Sequence, residues 1–327
     1  METERNFRNR YRIMKAALIP ILAVLGLIAI PLCRAEEPAP GIFISTTAGR
    51  QIDLYLKCTA PGDRYLRICL RRMTDSSKRM DLWRLTRVFD VERRGDSGFA
   101  DRLGEEIVRP GEWECAIRLS EEGRRTEDDM GGFHGYELFT GVEARLDGRD
   151  IDLTRNEKLN GAELCFEQRS VLYLYGTGRP VANHLKRYRF IPAGIELQQE
   201  IEWLEDARVE NAYLTMLPVV RSQRNGRQIT DRLSMEGDPK EYDVSRTDRN
   251  LKVGGDGVER VKIWGRESGV TAEVTVRYEP ELPGRRFFCS MYSPNYNKLY
   301  FDFCRQYAAK KGEIWKANTI FKLDIIE

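Results

Sequence analysis

The 327-residue sequence contains two histidines, His134 and His184, and around each lie residues whose types could do chemistry. His134 sits in Glu127-Asp128-Asp129-Met130-Gly131-Gly132-Phe133-His134-Gly135-Tyr136-Glu137. An imidazole, a phenol and a carboxylate follow one another there, the groups used for proton transfer near neutral pH. Gly131, Gly132 and Gly135 open backbone conformations that a side chain forbids and let another molecule approach closely. His134, Tyr136 and Glu137 are therefore the first catalytic candidates. A glycine-rich bulge or hairpin turn with His134 on its surface would use the same residues. His184 lies in Asn183-His184-Leu185-Lys186-Arg187-Tyr188, where an amide, an ammonium, a guanidinium and a phenol accompany the imidazole. The structural alternative for that segment is an ordinary strand with an outward cationic face.

The elements that must hold these groups read as β almost throughout. Gln51 to Leu56 alternates apolar and polar residues, Pro61-Gly62-Asp63 turns the chain, and Arg64 to Arg71 completes a hairpin over 51–71. Leu82 to Val91 is a third strand. Arg71, Arg72, Arg79, Arg84, Arg87, Arg93 and Arg94 could bind polyanions, but Asp75, Asp81, Asp90, Glu92 and Asp96 balance them as on a solvated face. Asp147-Gly148 between alternating segments is a type I′ hairpin signal. Strands follow over Leu164–Phe166, Val171–Tyr175, His184–Phe190, Ile195–Leu204 and Ala212–Val220, with a short helix competing at Glu196–Trp203. Polar residues 222–257 suit a long loop or a subdomain boundary. Strands resume over Val258–Trp264, Thr271–Tyr278, Phe287–Tyr292 and Tyr296–Phe303, a short helix is expected over Arg305–Lys310, and a last strand runs from Glu313 to Leu323. Many short strands separated by turns indicate an all-β chain, an antiparallel β-sandwich or jelly roll spanning 36–327.

The N-terminus bears on compartment. Arg5, Arg8, Arg10, Arg12 and Lys15 precede an apolar run from Ala16 to Leu32, and Cys33-Arg34-Ala35 closes it, the layout of a secretory signal peptide over 1–35. Export to the periplasm or the exterior is the expectation. An uncleaved membrane anchor and lipidation at Cys33 are the other readings of this run. The leader carries six of the 53 Lys and Arg and two of the 51 Asp and Glu, so the rest is near neutral. Its charge gives no reason to expect nucleic acid or an anionic membrane as partner. Cys58, Cys69, Cys115, Cys165, Cys289 and Cys304 remain, an even number that permits disulfides in an oxidising compartment or serves as buried thiols. No zinc-type spacing, P-loop, dinucleotide fingerprint or nucleophile elbow occurs. No cofactor is expected, though a structural Ca2+ beside His134 and Glu137 would suit a binding module.

An exported β-sandwich offers a broad sheet face, on which a carbohydrate can lie with aromatic rings against its sugars. Tyr173, Tyr175, Tyr188, Trp203, Tyr213, Tyr292 and Tyr300 are candidates, and core packing is the alternative for each. Tyr296-Asn297-Lys298 looks like the Tyr-Asn ending of the alginate-lyase type of motif, and His134 with Tyr136 could answer to its His and Tyr. On these residues the chain resembles the secreted β-jelly-roll polysaccharide lyases, although the Gln-Ile-His triplet and the Tyr-Phe-Lys-x-Gly lead-in of that family are absent. The Gly-Gly-Phe-His-Gly-Tyr-Glu stretch also looks like uncharacterised secreted and phage-associated β-proteins. The lyase resemblance implies β-elimination in a uronate-containing, acidic polysaccharide. His134 would be the base, Tyr136 or Tyr296 the acid, and Arg187 or Asn183 would neutralise the carboxylate. His184, Lys186, Tyr188 and Asn297 would help bind the substrate. Hydrolysis by Glu137 with Asp128 or Asp129 is the rival enzyme reading, and a non-catalytic carbohydrate-binding or adhesion module is the other.

Overall fold

A computed structural model of the chain describes residues 41–93, 98–99, 104–111, 113–248 and 252–326. The leader, Cys33, Arg94 and Asp96 lie outside the described residues. No helix among the described residues is long and apolar enough to cross a membrane.

The strands, in chain order, are Ile42–Thr47 (β1), Gln51–Lys57 (β2), Arg64–Asp75 (β3), Met80–Glu92 (β4), Glu106–Val108 (β5), Ala116–Glu121 (β6), Arg124–Arg125 (β7), Glu137–Leu146 (β8), Arg149–Asp150 (β9), Lys158–Gly161 (β10) and Leu164–Tyr173 (β11). They continue with Pro180–Ile191 (β12), Gly194–Trp203 (β13), Ala207–Val220 (β14), Arg232–Met235 (β15), Glu241–Asp243 (β16), Lys252–Asp256 (β17), Arg260–Trp264 (β18), Val270–Glu279 (β19), Arg286–Ser290 (β20), Tyr296–Ala309 (β21) and Ile314–Ile325 (β22). One antiparallel ladder runs β8, β11, β12, β13, β22, β19, β18, β15, β16. The other runs β10, β1, β2, β3, β4, β5, β14, β21, β20, β17, with β6 sharing the β5 edge of β14. A short parallel contact, Met80 to Glu137 and Asp81 to Leu138, links the two.

The ladders close on each other as a sandwich. Trp83 of β4 packs on Phe166 of β11, Trp113 on Phe321 of β22, and Phe303 of β21 on Trp315 of β22, with ring centroids 5.6, 5.6 and 4.9 Å apart. The period of two along each strand decides which residues enter this interior. On β12, Ala182, His184, Lys186, Tyr188 and Phe190 are buried, while Asn183, Arg187 and Arg189 are exposed. Apolar residues fill most inward positions, at roughly 1.5–3 kcal/mol of transfer free energy for each large side chain buried.

The 51–71 hairpin is β2 and β3. At Asp147-Gly148 both residues have positive φ, 49° and 78°, as a type I′ turn requires, and β8 pairs with β9 across it. Two expectations are corrected. Residues 305–310 are no helix: β21 extends to Ala309, paired with β14 back to Ala207. Residues 222–257 are only partly loop, since they contain β15, β16 and β17, whose ladder bonds overcome a polar, glycine-bearing sequence. Glu196–Trp203 is strand, not helix. The six cysteines outside the leader are free thiols, Cys165 half-buried and the others buried. Cys58, Cys115, Cys289 and Cys304 join the main apolar core and Cys69 a smaller cluster, and no disulfide joins any of the six in this structure.

Candidate functional site

The glycine-rich segment is a tight turn built against β6 and the turn before β4. Gly132–His134 forms one 3-10 turn, with Gly131, Gly132, Gly135 and Tyr136 at φ of 90°, 51°, 83° and 52°. Each glycine is required by contact as well as by φ. A Cβ on Gly131 would lie 2.5 Å from Cys115 Sγ, on Gly132 2.4 Å from the Glu114 carbonyl oxygen, and on Gly135 2.5 Å from that of Lys78. The Tyr136 N–H donates to the Lys78 carbonyl at 2.6 Å, and Met130 and Ile117 exchange two backbone bonds of 2.8 and 3.0 Å.

Glu137 leaves this turn pointing inward and is wholly buried. Its Oε2 accepts the Gly132 N–H at 2.8 Å, and its Oε1 accepts the Ser170 hydroxyl at 2.6 Å. His184 Nδ1 and Lys186 Nζ each stand 3.1 Å from Oε1. Burial by itself would raise the Glu137 pKa, but the Lys186 and His184 charges and hydrogen bonds from His184 and Ser170 outweigh it and hold the carboxyl well below its ordinary range. His184 is fully buried and held below the usual imidazole value by burial, against the opposing pull of Glu137. Tyr188 donates to Glu114 at 2.8 Å in the same interior. Glu137, His184, Lys186 and Tyr188 thus form part of a buried polar network, out of reach of a polysaccharide, which corrects their assignment as substrate-contacting groups.

His134 faces the other way. It lines a cleft of about 340 Å³ with Arg125, Asp129, Asn211, Tyr213, Phe288, Ser290 and Tyr300, contributed by β7, β14, β20 and β21. Its Nδ1 lies 3.0 Å from Asp128 Oδ1 and its Nε2 3.6 Å from Asp129 Oδ2. Arg118 holds Asp129 at 2.6 Å and Asp128 at 3.5 Å. Burial lowers the His134 pKa; the two aspartates oppose the shift without reversing it. Tyr213 and Tyr300 are raised, both chiefly by burial, so their phenols stay protonated at neutral pH. Lys298, whose ammonium stands 4.6 Å from the Tyr300 ring, is pushed down to about 7 by burial and by the Arg84 cation.

The remaining sequence candidates are scattered. Tyr136 packs on Tyr175, ring centroids 4.9 Å apart. Arg187 and Asn183 are on the opposite face of β12 from His184, paired with Glu167 at 2.6 Å and Glu202 at 3.0 Å, and neither lines the His134 cleft. Tyr296 opens β21. Asn297 is buried and clamps Arg221 and the Val244 carbonyl, both at 3.0 Å. Trp203 is core. Sequence reading named Tyr213 and Tyr300 as stacking residues but did not join them to His134. Arg125, Asn211, Phe288 and Ser290 were not singled out. The usable signal was period two on β20 and β21, which puts Phe288 and Ser290, and Tyr296, Lys298 and Tyr300, each on one strand face.

Among the described residues two groups have ligand atoms close enough to hold a metal: Asp128, Asp129 and His134, and Cys115, Glu137 and His184, within 4.8 Å in each. In the second, Lys186 already supplies the cation for Glu137. In the first, Arg118 does so for Asp129, and a mixed nitrogen and carboxylate set suits a transition metal better than Ca2+.

No family model matches the chain, and no curated protein sequence matches it. Solved structures similar to it include the Slr1438 protein from Synechocystis, at 11% identity over 86% of this chain and 99% of that one, with a TM-score of 0.42. A candidate aldose 1-epimerase from Klebsiella pneumoniae is similar at 9% identity over 88% of each chain, TM-score 0.46. Heparan sulfate lyase HepC from Pedobacter heparinus is similar at 10% identity over 83% of this chain and 37% of that one, TM-score 0.29. At such identities and scores the likeness gives no residue of this chain a role.

Proposed function

We propose that this chain is an exported carbohydrate-active protein that cleaves an acidic polysaccharide by β-elimination in the His134 cleft. The observation that carries the reading is the convergence in one cleft of a depressed imidazole and two protonated phenols. With Nδ1–H donated to Asp128, the lone pair of the neutral imidazole is at Nε2, which is buried 3.6 Å from Asp129 Oδ2 in this structure, so the reaction requires the ring to turn toward the cleft. His134 then takes the C5 proton of a uronate, the C5–H electrons form the C4–C5 double bond, and the C4–O bond breaks toward the leaving sugar. Tyr300 or Tyr213 protonates that leaving oxygen. Arg125, which lines the cleft, offsets the charge that develops on the carboxylate. Aromatic rings at Tyr213, Phe288 and Tyr300 supply the apolar surface for sugar faces. No cofactor enters this chemistry.

The second reading is a non-catalytic binding module, favoured by one observation: both His134 nitrogens lie toward aspartates. Incubation of residues 36–327 with uronate-containing and neutral polysaccharides, following ultraviolet absorbance and reducing ends together, separates the readings. Both signals rising on a uronate polymer supports elimination. Reducing ends alone indicate hydrolysis, and retention on a polysaccharide column with neither signal indicates the binding module.

A further inference from the structure

Beside the cleft stands an exposed phenylalanine that no packing requirement explains. Phe133 is 41% exposed, among the few large apolar side chains on the described surface. It precedes His134, and the two rings meet edge to face with centroids 6.0 Å apart. Two cations border it: Lys78 Nζ and Arg84 Cζ each lie 5.1 Å from the ring centroid. Cations sit against aromatic faces by electrostatic attraction, so the ring fixes where these charges stand.

Arg84 is the unusual member. It is 2% exposed on β4 and donates to the Gly111 carbonyl, while its Nε meets no acceptor. A buried guanidinium with an unmade hydrogen bond is costly, so Arg84 brings uncompensated positive charge close beneath the Phe133 ring. Glu114 lies behind Arg84 in the interior, but burial pushes the Glu114 pKa up, which weakens it as a counter-charge. Lys298 lies near Arg84, whose charge adds to the effect of burial in pushing the Lys298 pKa down to about 7. The carboxylates of the region, Asp128 and Asp129, are engaged by Arg118 and His134. The geometry is rigid, because Lys78 also accepts the Tyr136 N–H and touches the position of Gly135.

We propose that Phe133 and Lys78 form a subsite for a sugar ring that carries an oxyanion, a carboxylate or a sulfate, adjacent to the ring held at His134, with buried Arg84 adding positive potential from behind the Phe133 ring. The apolar surface of Phe133 meets the C–H face of the ring, and the half-buried Lys78 ammonium meets its anionic substituent. The inference rests on the elimination reading for its neighbouring site, and the two can fail separately.

The test uses residues 36–327 with chondroitin sulfate, its chemically desulfated form, polygalacturonate and dextran, in binding titrations at several salt concentrations and in the absorbance assay. Phe133→Ala and Lys78→Gln change partly exposed groups, and thermal melting checks that both fold. The anionic polymers bind and dextran does not, each substitution weakens binding about 3- to 10-fold, and Lys78→Gln flattens the salt dependence. Weaker binding of the desulfated polymer assigns the anion as sulfate; equal binding assigns it as carboxylate. Dextran bound as tightly as the anionic chains, or both folded variants binding like the native chain, overturns the subsite. Binding that responds to the variants without any unsaturated product upholds the subsite and removes the elimination. Product formed with KM unchanged in both variants does the reverse.

Discussion

Glu137 Oε2 accepts a hydrogen bond from the backbone N–H of Gly132, five residues earlier, at 2.8 Å. That bond ties the turn carrying His134 to the buried His184, Lys186 and Ser170 on β11 and β12. The interior network therefore positions the surface imidazole. Removing the charge by Glu137→Gln leaves Lys186 buried without its counter-ion, which costs about 3–5 kcal/mol. Thermal melting should fall by roughly 10 °C for a chain of this size. A change within about 1 °C would deny the network this role.

The turn itself is as exacting. Gly132→Ala must hold a side chain at φ 51° with its Cβ 2.4 Å from the Glu114 carbonyl oxygen. A loss of about 2–4 kcal/mol is expected, with a larger relative loss of any His134-dependent activity. Gly148→Ala is the comparison: it shares the positive φ but meets nothing within 4 Å, so it should cost only about 1 kcal/mol. Urea unfolding of the two variants measures the difference.

Stability should fall in acid in two stages. The folded pKa of His184 is below the ordinary imidazole value of 6.5, so the unfolded chain binds a proton that the folded chain refuses, and stability is lost as pH falls below that value. Glu137, depressed well below 4.5, contributes stability above 4.5 that is lost as pH falls further, when the unfolded carboxylate is protonated first. Melting temperature followed from pH 8 to 3 should stay level, then decline below 6.5 and more steeply below 4.5. The lower stage should be smaller in Glu137→Gln, with a remainder from other carboxylates held low by their hydrogen bonds, such as Asp75, Asp206 and Asp238.

Thiol chemistry checks the cysteines. With Cys165 half-buried and the other five buried, a thiol reagent should titrate at most one group in folded residues 36–327 and six after denaturation. Reductant should leave the melting temperature unchanged. Fewer than six thiols in the denatured, unreduced chain would show disulfides.

The fold was legible because period two is a local property: the 51–71 hairpin and the Asp147-Gly148 turn needed only their own residues. The His134 motif was visible for the same reason, since three glycines beside an imidazole mark a special backbone. What sequence could not give was depth. Asn183 and His184 are neighbours in the chain but occupy opposite faces of β12, and nothing local shows which face is covered. Glu137 looked like a carboxylate presented beside His134, whereas strand pairing turns it into the interior. The partners of His134 in the cleft come from β14, β20 and β21, more than 70 residues away along the chain, and only the closing of the second ladder brings Tyr213 and Tyr300 to it.

The central claim is that His134 removes the proton. It is tested most directly by following unsaturated product from a uronate polymer with the native chain, with His134→Ala, and with His134→Ala plus free imidazole. The account expects the substitution to lower kcat by about 10²- to 10⁴-fold, the range for a lost general base, with imidazole restoring part of it and melting unchanged. A folded His134→Ala chain that forms product at the native rate would contradict it.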